Sequence, residues 1–254
     1  MANRESQRRF TRLRWYNAAM GVLHLGQGLV ILALSNDFSL PVYATFMEGP
    51  PGSTPPELDV LFDLRIGPAV AAFVFISALA HFLLVMPGIF GWYTRNLGRG
   101  RNDARWYEYS LSASIMIVLI AMLTGIGDIA ALVAIFGVNA TMILLGLVQE
   151  HAEQPGQGRM LPFWVGSIAG IVPWIAIAIY FASPGSAADP PAFVYGIFIS
   201  LFVFFNVFAL NMWLQYRRIG PWRDYVFGEV VYVFLSLTAK SALAWQVFFP
   251  TLVD

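Results

Sequence analysis

Seven stretches of about 20 predominantly apolar residues run through this 254-residue chain, each long enough to cross the hydrocarbon core of a bilayer as a single helix. They lie near residues 13–35, 66–87, 105–126, 128–149, 161–182, 192–215 and 225–248. Lipid offers no partner to backbone N–H and C=O groups, so stretches of this kind fold as helices that satisfy those groups internally. The pattern predicts an all-α membrane protein, a seven-transmembrane-helix bundle forming one domain over residues 1–254. Only Gly125-Ile126-Gly127-Asp128 interrupts the third and fourth stretches, which makes them antiparallel neighbours. An arginine-rich segment precedes the first stretch, as in a signal peptide. The apolar region is too long for one and shows no small-residue cleavage site, so it reads as a retained first span.

Charge supports the same class. Charged residues make up 12% of the chain, against about 25% in soluble domains. The 15 basic residues balance the 15 acidic ones, which leaves no electrostatic footprint for nucleic acid. The chain has no cysteine, so disulfides, thiolate catalysis and cysteine-ligated metals are excluded. Fourteen of the 15 cations are arginine, and 13 of these fall in the N-terminal segment up to Arg14, in the second-to-third connection with Arg105 at its end, or in the fourth-to-fifth and sixth-to-seventh connections. Arg65 alone lies on the other side. The positive-inside rule then predicts a multi-pass cell-membrane protein with a cytoplasmic N-terminus and an extracellular C-terminus. The longest loop, about 36–65, is external, acidic and punctuated by Pro50-Pro51-Gly52 and Pro55-Pro56. Its apolar Val42, Tyr43, Phe46 and Met47 predict that it packs on the bundle or on a second subunit.

Ionisable groups inside a span are costly and mark function by default. Four stand out: His24, His81, Glu108 and Lys240. Lys240, the only lysine, sits midway along the last span, too deep to reach water by snorkelling. Its position leaves two readings open, covalent attachment of a carbonyl compound through an imine and a buried lysine–carboxylate pair. Glu108 lies near the start of the third span, where an interfacial carboxylate beside Arg105 is the plainer reading. Ser112 shares a helical face with Glu108, and Ser236 shares one with Lys240. Counted along the helices Glu108 is shallower than Lys240, although helical side chains lean toward the N-terminus and narrow the gap. His24 has Asn17 and Gln27 on its helix, and His81 follows Ser77 by one turn. Singly, each histidine reads as satisfied by an interhelical hydrogen bond. Together the four groups predict one polar pocket in an apolar bundle. Asn139 and Met142 are spaced to line one wall, and Gly166 and Gly170 are spaced for close helix packing.

There is no Walker motif, no G-x-S-x-G and no metal-ligand spacing. A non-enzymatic, metal-free protein is expected. Glu108 is the single carboxylate expected deep in a span, with Asp128, Glu150 and Glu229 read as helix-end residues. One such station argues against an efficient proton pump.

The chain resembles the heliorhodopsins over almost its whole length. The resemblance is carried by Ser236-Leu-Thr-Ala-Lys-Ser-Ala-Leu-Ala-Trp-Gln246 and Arg105-Trp-Tyr-Glu-Tyr-Ser-Leu-Ser112. Ala134-Ile-Phe-Gly-Val-Asn-Ala140, Leu161-Pro-Phe-Trp164, Gly170-Ile-Val-Pro-Trp174 and Phe193-Val-Tyr-Gly196 add to it, as do Ser35-Asn-Asp-Phe and Gly49-Pro-Pro-Gly52 in the loop. It implies all-trans retinal on Lys240 as a protonated Schiff base, with Glu108 as counterion and Ser236 and Ser112 beside them. Met142, Trp164, Phe205 and Met212 are implied to contact the chromophore, Met212 departing from a glutamine associated with that site. A polar cavity around His24, His81, Gln27, Ser77 and Tyr109 is implied to accept the proton. The resemblance also implies an inverted topology and a homodimer in which the first external loop takes part.

A light sensor with a slow photocycle is therefore expected, resident in the lipid bilayer and open to an unidentified cytoplasmic signalling partner. Light-driven or light-gated proton transport is the first alternative. A retinal-free small-solute transporter with a Lys240–Glu108 pair is the second.

Overall fold

The computed structural model describes residues 2–52, 57–182 and 192–251. In chain order its elements are α1 (Ala2–Leu34), β1 (Ser39–Ala44), β2 (Asp59–Arg65), α2 (Ile66–Val85), α3 (Ile89–Leu97), α4 (Asp103–Leu123), α5 (Ile129–Ala152), α6 (Leu161–Ala182), α7 (Ala192–Arg217) and α8 (Tyr225–Thr251). One 3-10 turn, Gly220–Arg223, precedes α8. Seven of the helices are long and apolar enough to cross a membrane. α3 is the eighth, a two-and-a-half-turn helix that the hydropathy pattern had merged into the second-to-third connection. Its Tyr93 and Leu97 are buried against Leu13 and Leu84, so it packs under the bundle end instead of spanning.

The short connections fix neighbours. α4 ends at Gly125, whose φ of 101° suits only a glycine. There Gly125 N donates to Met122 O and Ile126 N to Ala121 O, a paired C-terminal cap. Asp128 then opens α5 by accepting from Ala131 N at 2.9 Å. At the opposite end Asn102 caps α4, its side chain accepting from Arg105 N.

The long first loop carries two strands among its described residues. β1 and β2 form an antiparallel hairpin, Ser39 opposite Arg65 and Ala44 opposite Asp59, with a register shift between Val42 and Tyr43. Neither strand shows a clean inside–outside alternation, and β2 is exposed along most of its length. Tyr43 N donates to Gly127 O at 3.0 Å, which seats the hairpin on the α4–α5 turn. A Cβ on Gly127 would lie 2.4 Å from the Tyr43 ring and 2.8 Å from Pro41 O, so this approach requires a glycine.

A large apolar cluster fills the hairpin half of the bundle, with Ile66, Phe73, Ile117, Ile120, Leu243 and Val247 at its centre. The other half holds the buried polar residues, among them Asn17, His81, Arg105, Glu150 and Glu229. Between α6 and α7, rings do the packing: Trp174 meets Phe198, Phe202 and Phe205 edge-on, and Phe181 stacks on Phe198. Gly127→Ala is expected to unseat the hairpin, costing about 1–3 kcal/mol as overpacking usually does. Melting of the purified protein and faster proteolysis within the hairpin would register it.

Candidate functional site

Lys240 and Glu108, 132 positions apart, form an ion pair inside the bundle: Nζ donates to Glu108 Oε1 at 2.7 Å. Nζ also donates to Ser236 Oγ at 3.0 Å. This second bond shows how the depth gap closes. The lysine leans back about one helical turn toward the start of α8, onto the residue four before it. The Tyr109 ring lies beneath the ammonium, 5.0 Å from its centroid. Tyr109 itself is held by its hydroxyl, which donates to Tyr232 O at 2.9 Å.

Glu108 is fixed from a third helix. Ser77 Oγ on α2 donates to Glu108 Oε1 at 2.6 Å, and Ser112, one turn further along α4, is wholly buried. His81, four residues after Ser77, shares a hydrogen bond with Asn17 Oδ1 on α1 at 2.8 Å. His24 stacks on His81 with ring centroids 5.6 Å apart. Both His24 nitrogens are buried without a hydrogen-bond partner among the described residues. The structure thus brings together His24, His81, Ser77, Tyr109 and Glu108. Gln27 departs from the expected group. It lies one turn beyond His24 and accepts from Ser241 Oγ at 2.9 Å, which ties α1 to α8 away from the histidine pair.

On the other side of Lys240 lies a cavity of about 280 Å³ between α4, α5, α6, α7 and α8. Met142, Phe205 and Met212 line it as expected of them, together with Trp106, Phe163 and Trp174. Trp164 does not. It is 52% exposed and faces away from the bundle axis, and the wall at that turn is Phe163, against which the Trp164 ring packs edge-on. Two consecutive aromatic residues on a helix point about 100° apart, so Phe163 and Trp164 cannot both face this cavity. Asn139 is also absent from the wall, since it donates to Ser114 Oγ at 3.0 Å. Glycines shape the cavity: a Cβ on Gly170 would stand 2.4 Å from Met142 Sδ, and one on Gly146 would stand 2.3 Å from the Trp106 ring. Gly166 and Gly170 both border the cavity, so their spacing serves the wall as well as helix packing.

The structure also holds a cluster that the sequence reading had dispersed. Arg105 does not accompany Glu108. Its guanidinium pairs with Glu150 on α5 and Glu229 on α8, and the three side chains are 4%, 1% and 1% exposed. Reading Glu150 and Glu229 as ordinary helix-end carboxylates is thereby corrected: they stand near helix ends but face inward. An arginine followed by a glutamate three residues later on one span was the available signal, since both then lie on a similar face.

A lysine on the last of seven candidate membrane spans, ion-paired across the bundle and bordering an aromatic-walled cavity, is the arrangement of a rhodopsin-like, light-responsive membrane protein. The family model for heliorhodopsin matches residues 13–252, nearly the whole chain, and the chain belongs to the heliorhodopsin family. That family implies a retinal chromophore. No curated protein matches the chain. The residues present fit retinal: the cavity supplies apolar and aromatic walls, with one amine and the Ser236 hydroxyl at its polar end.

Removing one partner from a buried pair leaves the other charge uncompensated. Glu108→Ala is expected to cost the retinal-free protein about 3–5 kcal/mol, and Glu108→Ala with Lys240→Met markedly less. Thermal melting of the two variants in one detergent provides the comparison.

Proposed function

We propose that the chain is a non-enzymatic photoreceptor carrying all-trans retinal on Lys240 as a protonated Schiff base, with Glu108 as counterion. The observation that carries this reading is the position of Lys240 Nζ, 2.7 Å from Glu108 on one side and bordering the cavity on the other. Retinal supplies the light absorption and the double-bond isomerisation. The chain supplies the rest.

Met142, Phe163, Trp174, Phe205 and Met212 would enclose the polyene and exclude water. Glu108 holds the proton at Nζ by charge and hydrogen bond, and Ser77 keeps the carboxylate oriented. Any displacement of Nζ from Glu108 would weaken the pair that retains this proton. His81 is then a suitable acceptor, because it lines the same small polar cavity as Glu108. His24, stacked behind it with both nitrogens unpartnered, extends that capacity. Separated charges in a low-dielectric interior bias the helices they join toward a second arrangement.

Sensing is preferred to pumping because Ile117, Ile120, Leu243 and Val247 fill the interior between the ion pair and the hairpin end. A pump needs a polar route to both ends. One observation favours the transport reading, namely the buried carboxylates Glu150 and Glu229 toward the N-terminal end. Thirteen arginine positions at that end support a cytoplasmic N-terminus. The exposed apolar residues of the hairpin, Phe46, Met47, Val60 and Phe62, support a homodimer formed there. A soluble signalling partner would meet the short arginine-bearing connections.

Reconstitution with all-trans retinal is expected to give a visible absorption band that Lys240→Ala abolishes. A band surviving in that variant would refute the attachment. Gly170→Ala is expected to keep the band but shift it, because its Cβ displaces Met142 into the cavity. Illuminated vesicles should show no sustained, protonophore-sensitive pH change, and a lasting change would move the assignment to transport.

A further inference from the structure

The Arg105 cluster carries a charge imbalance. One guanidinium faces two carboxylates, and none of the three reaches solvent appreciably. With both carboxylates ionised, the site would bury a net negative charge without compensation, which the interior of a bundle does not tolerate.

Among the described residues, the neighbours supply no second cation. Asn102 donates from its backbone N to Glu150 Oε2 at 2.8 Å and from its side chain to Glu229 Oε2 at 2.6 Å. Tyr225 Oη lies 2.8 Å from Glu150 Oε1. Gln215 Nε2 from α7 stands 3.5 Å from Glu229 Oε1 and donates more closely to Tyr225 O. The Tyr232 and Trp106 rings cover the guanidinium at 3.9 and 4.4 Å. Tyr93 of α3 and Tyr216 of α7 are the remaining ionisable groups close by, and both are phenols. Arg101 directs its guanidinium to His151 O. His151 itself lies outside the cluster, paired with Asp103.

A small cavity of about 30 Å³ adjoins the cluster, large enough for water. Asn102, Arg105 and Glu229 line it from one side, and Asn17, His81 and Glu108 from the other. Arg105 Nε and Tyr232 Oη belong to lining residues and are buried without a hydrogen-bond partner among the described residues. The cavity therefore joins the counterion site to the arginine cluster through groups that water can bridge.

We propose that Glu150 and Glu229 share a single proton across Arg105, making this cluster a second proton-storage site joined to Glu108 and His81 through the small cavity. The Tyr225 hydroxyl donates to Glu150 Oε1 and the Asn102 side chain to Glu229 Oε2, so either carboxyl of the pair is held by a neutral donor while the other remains the ionised partner of Arg105. The shared proton does not depend on retinal. Only its coupling to light rests on the photoreceptor reading above.

Glutamine in place of either glutamate imitates the protonated acid and leaves one carboxylate for one guanidinium. Glu150→Gln and Glu229→Gln are each expected to fold with melting temperatures near that of the parent protein. The double substitution strands Arg105 and is expected to lower the melting temperature by much more than the sum of the single effects. Infrared spectra of the full-length protein, with and without retinal, should contain one neutral-carboxyl C=O band that both single variants lose. Tyr225→Phe should keep that band and shift it to higher frequency. Persistence of the band set in both single variants would overturn the proposal, as would a double variant no less stable than the singles. Specific stabilisation of the parent by sodium at constant ionic strength, absent from the single variants, would also overturn it by showing a bound metal cation in place of the proton. Since melting and infrared spectra can be recorded without retinal, failure here is distinct from failure of Lys240 to bind a chromophore.

Discussion

A charge placed inside an apolar bundle must meet an opposite charge, and in this protein α4 carries one member of each such meeting. Glu108 and Arg105 are three residues apart on that helix. Glu108 reaches Lys240 on α8 and accepts from Ser77 on α2. Arg105 reaches Glu150 on α5 and Glu229 on α8. Four helices are thus joined by two ionic sites separated by less than one turn of α4. Asn17 extends the set to α1 through His81. Ion pairs of this kind contribute little net stability against well-packed apolar replacements. What they impose is register, because sliding α8 by one residue would break both meetings together.

The rest of the interior divides around that arrangement. Toward the hairpin, largely aliphatic side chains fill the space, and among the described residues no buried charged side chain belongs to that cluster. Between α4, α5, α6, α7 and α8, aromatic rings hold the helices apart, and glycines admit side chains that would otherwise collide. Trp106 occupies the space at Gly146 and Met142 the space at Gly170. The cavity beside Lys240 results from this pairing of large with absent side chains. Pro173, inside α6, removes one backbone N–H from the stretch that carries Gly170 and Trp174.

The juxtaposition of two ionic sites also gives the proposed photochemistry somewhere to go. A change of charge at Glu108 is felt across a water-sized cavity by the carboxylates that hold the ends of α4, α5 and α8 together. Low-dielectric surroundings strengthen such coupling. The same helix ends support the short connections on the N-terminal side. Light absorption and output would then be linked by electrostatics over one or two helical turns.

Much of this was legible in the residues. Span count, helix directions and the membrane class follow from the length of apolar runs, because lipid leaves the backbone no other solution. Lys240 was conspicuous as a lone lysine far from either end of its span, and Glu108 as a carboxylate on a helix that could face it. Three things were not legible. Proline and acidic residues concealed the hairpin, whose strands are stabilised by pairing with each other and by seating on Gly127. Trp164 and Phe163 could not be told apart, since which of two adjacent side chains faces inward depends on the rotation of α6 against α5. Glu150 and Glu229 looked like ordinary helix-end charges until the bundle closed around Arg105. A sequence determines which groups must avoid lipid and which runs must be helical, because those are properties of single segments. Which charges meet, and whether they balance, is decided only when helices distant in the chain are brought within a few ångströms.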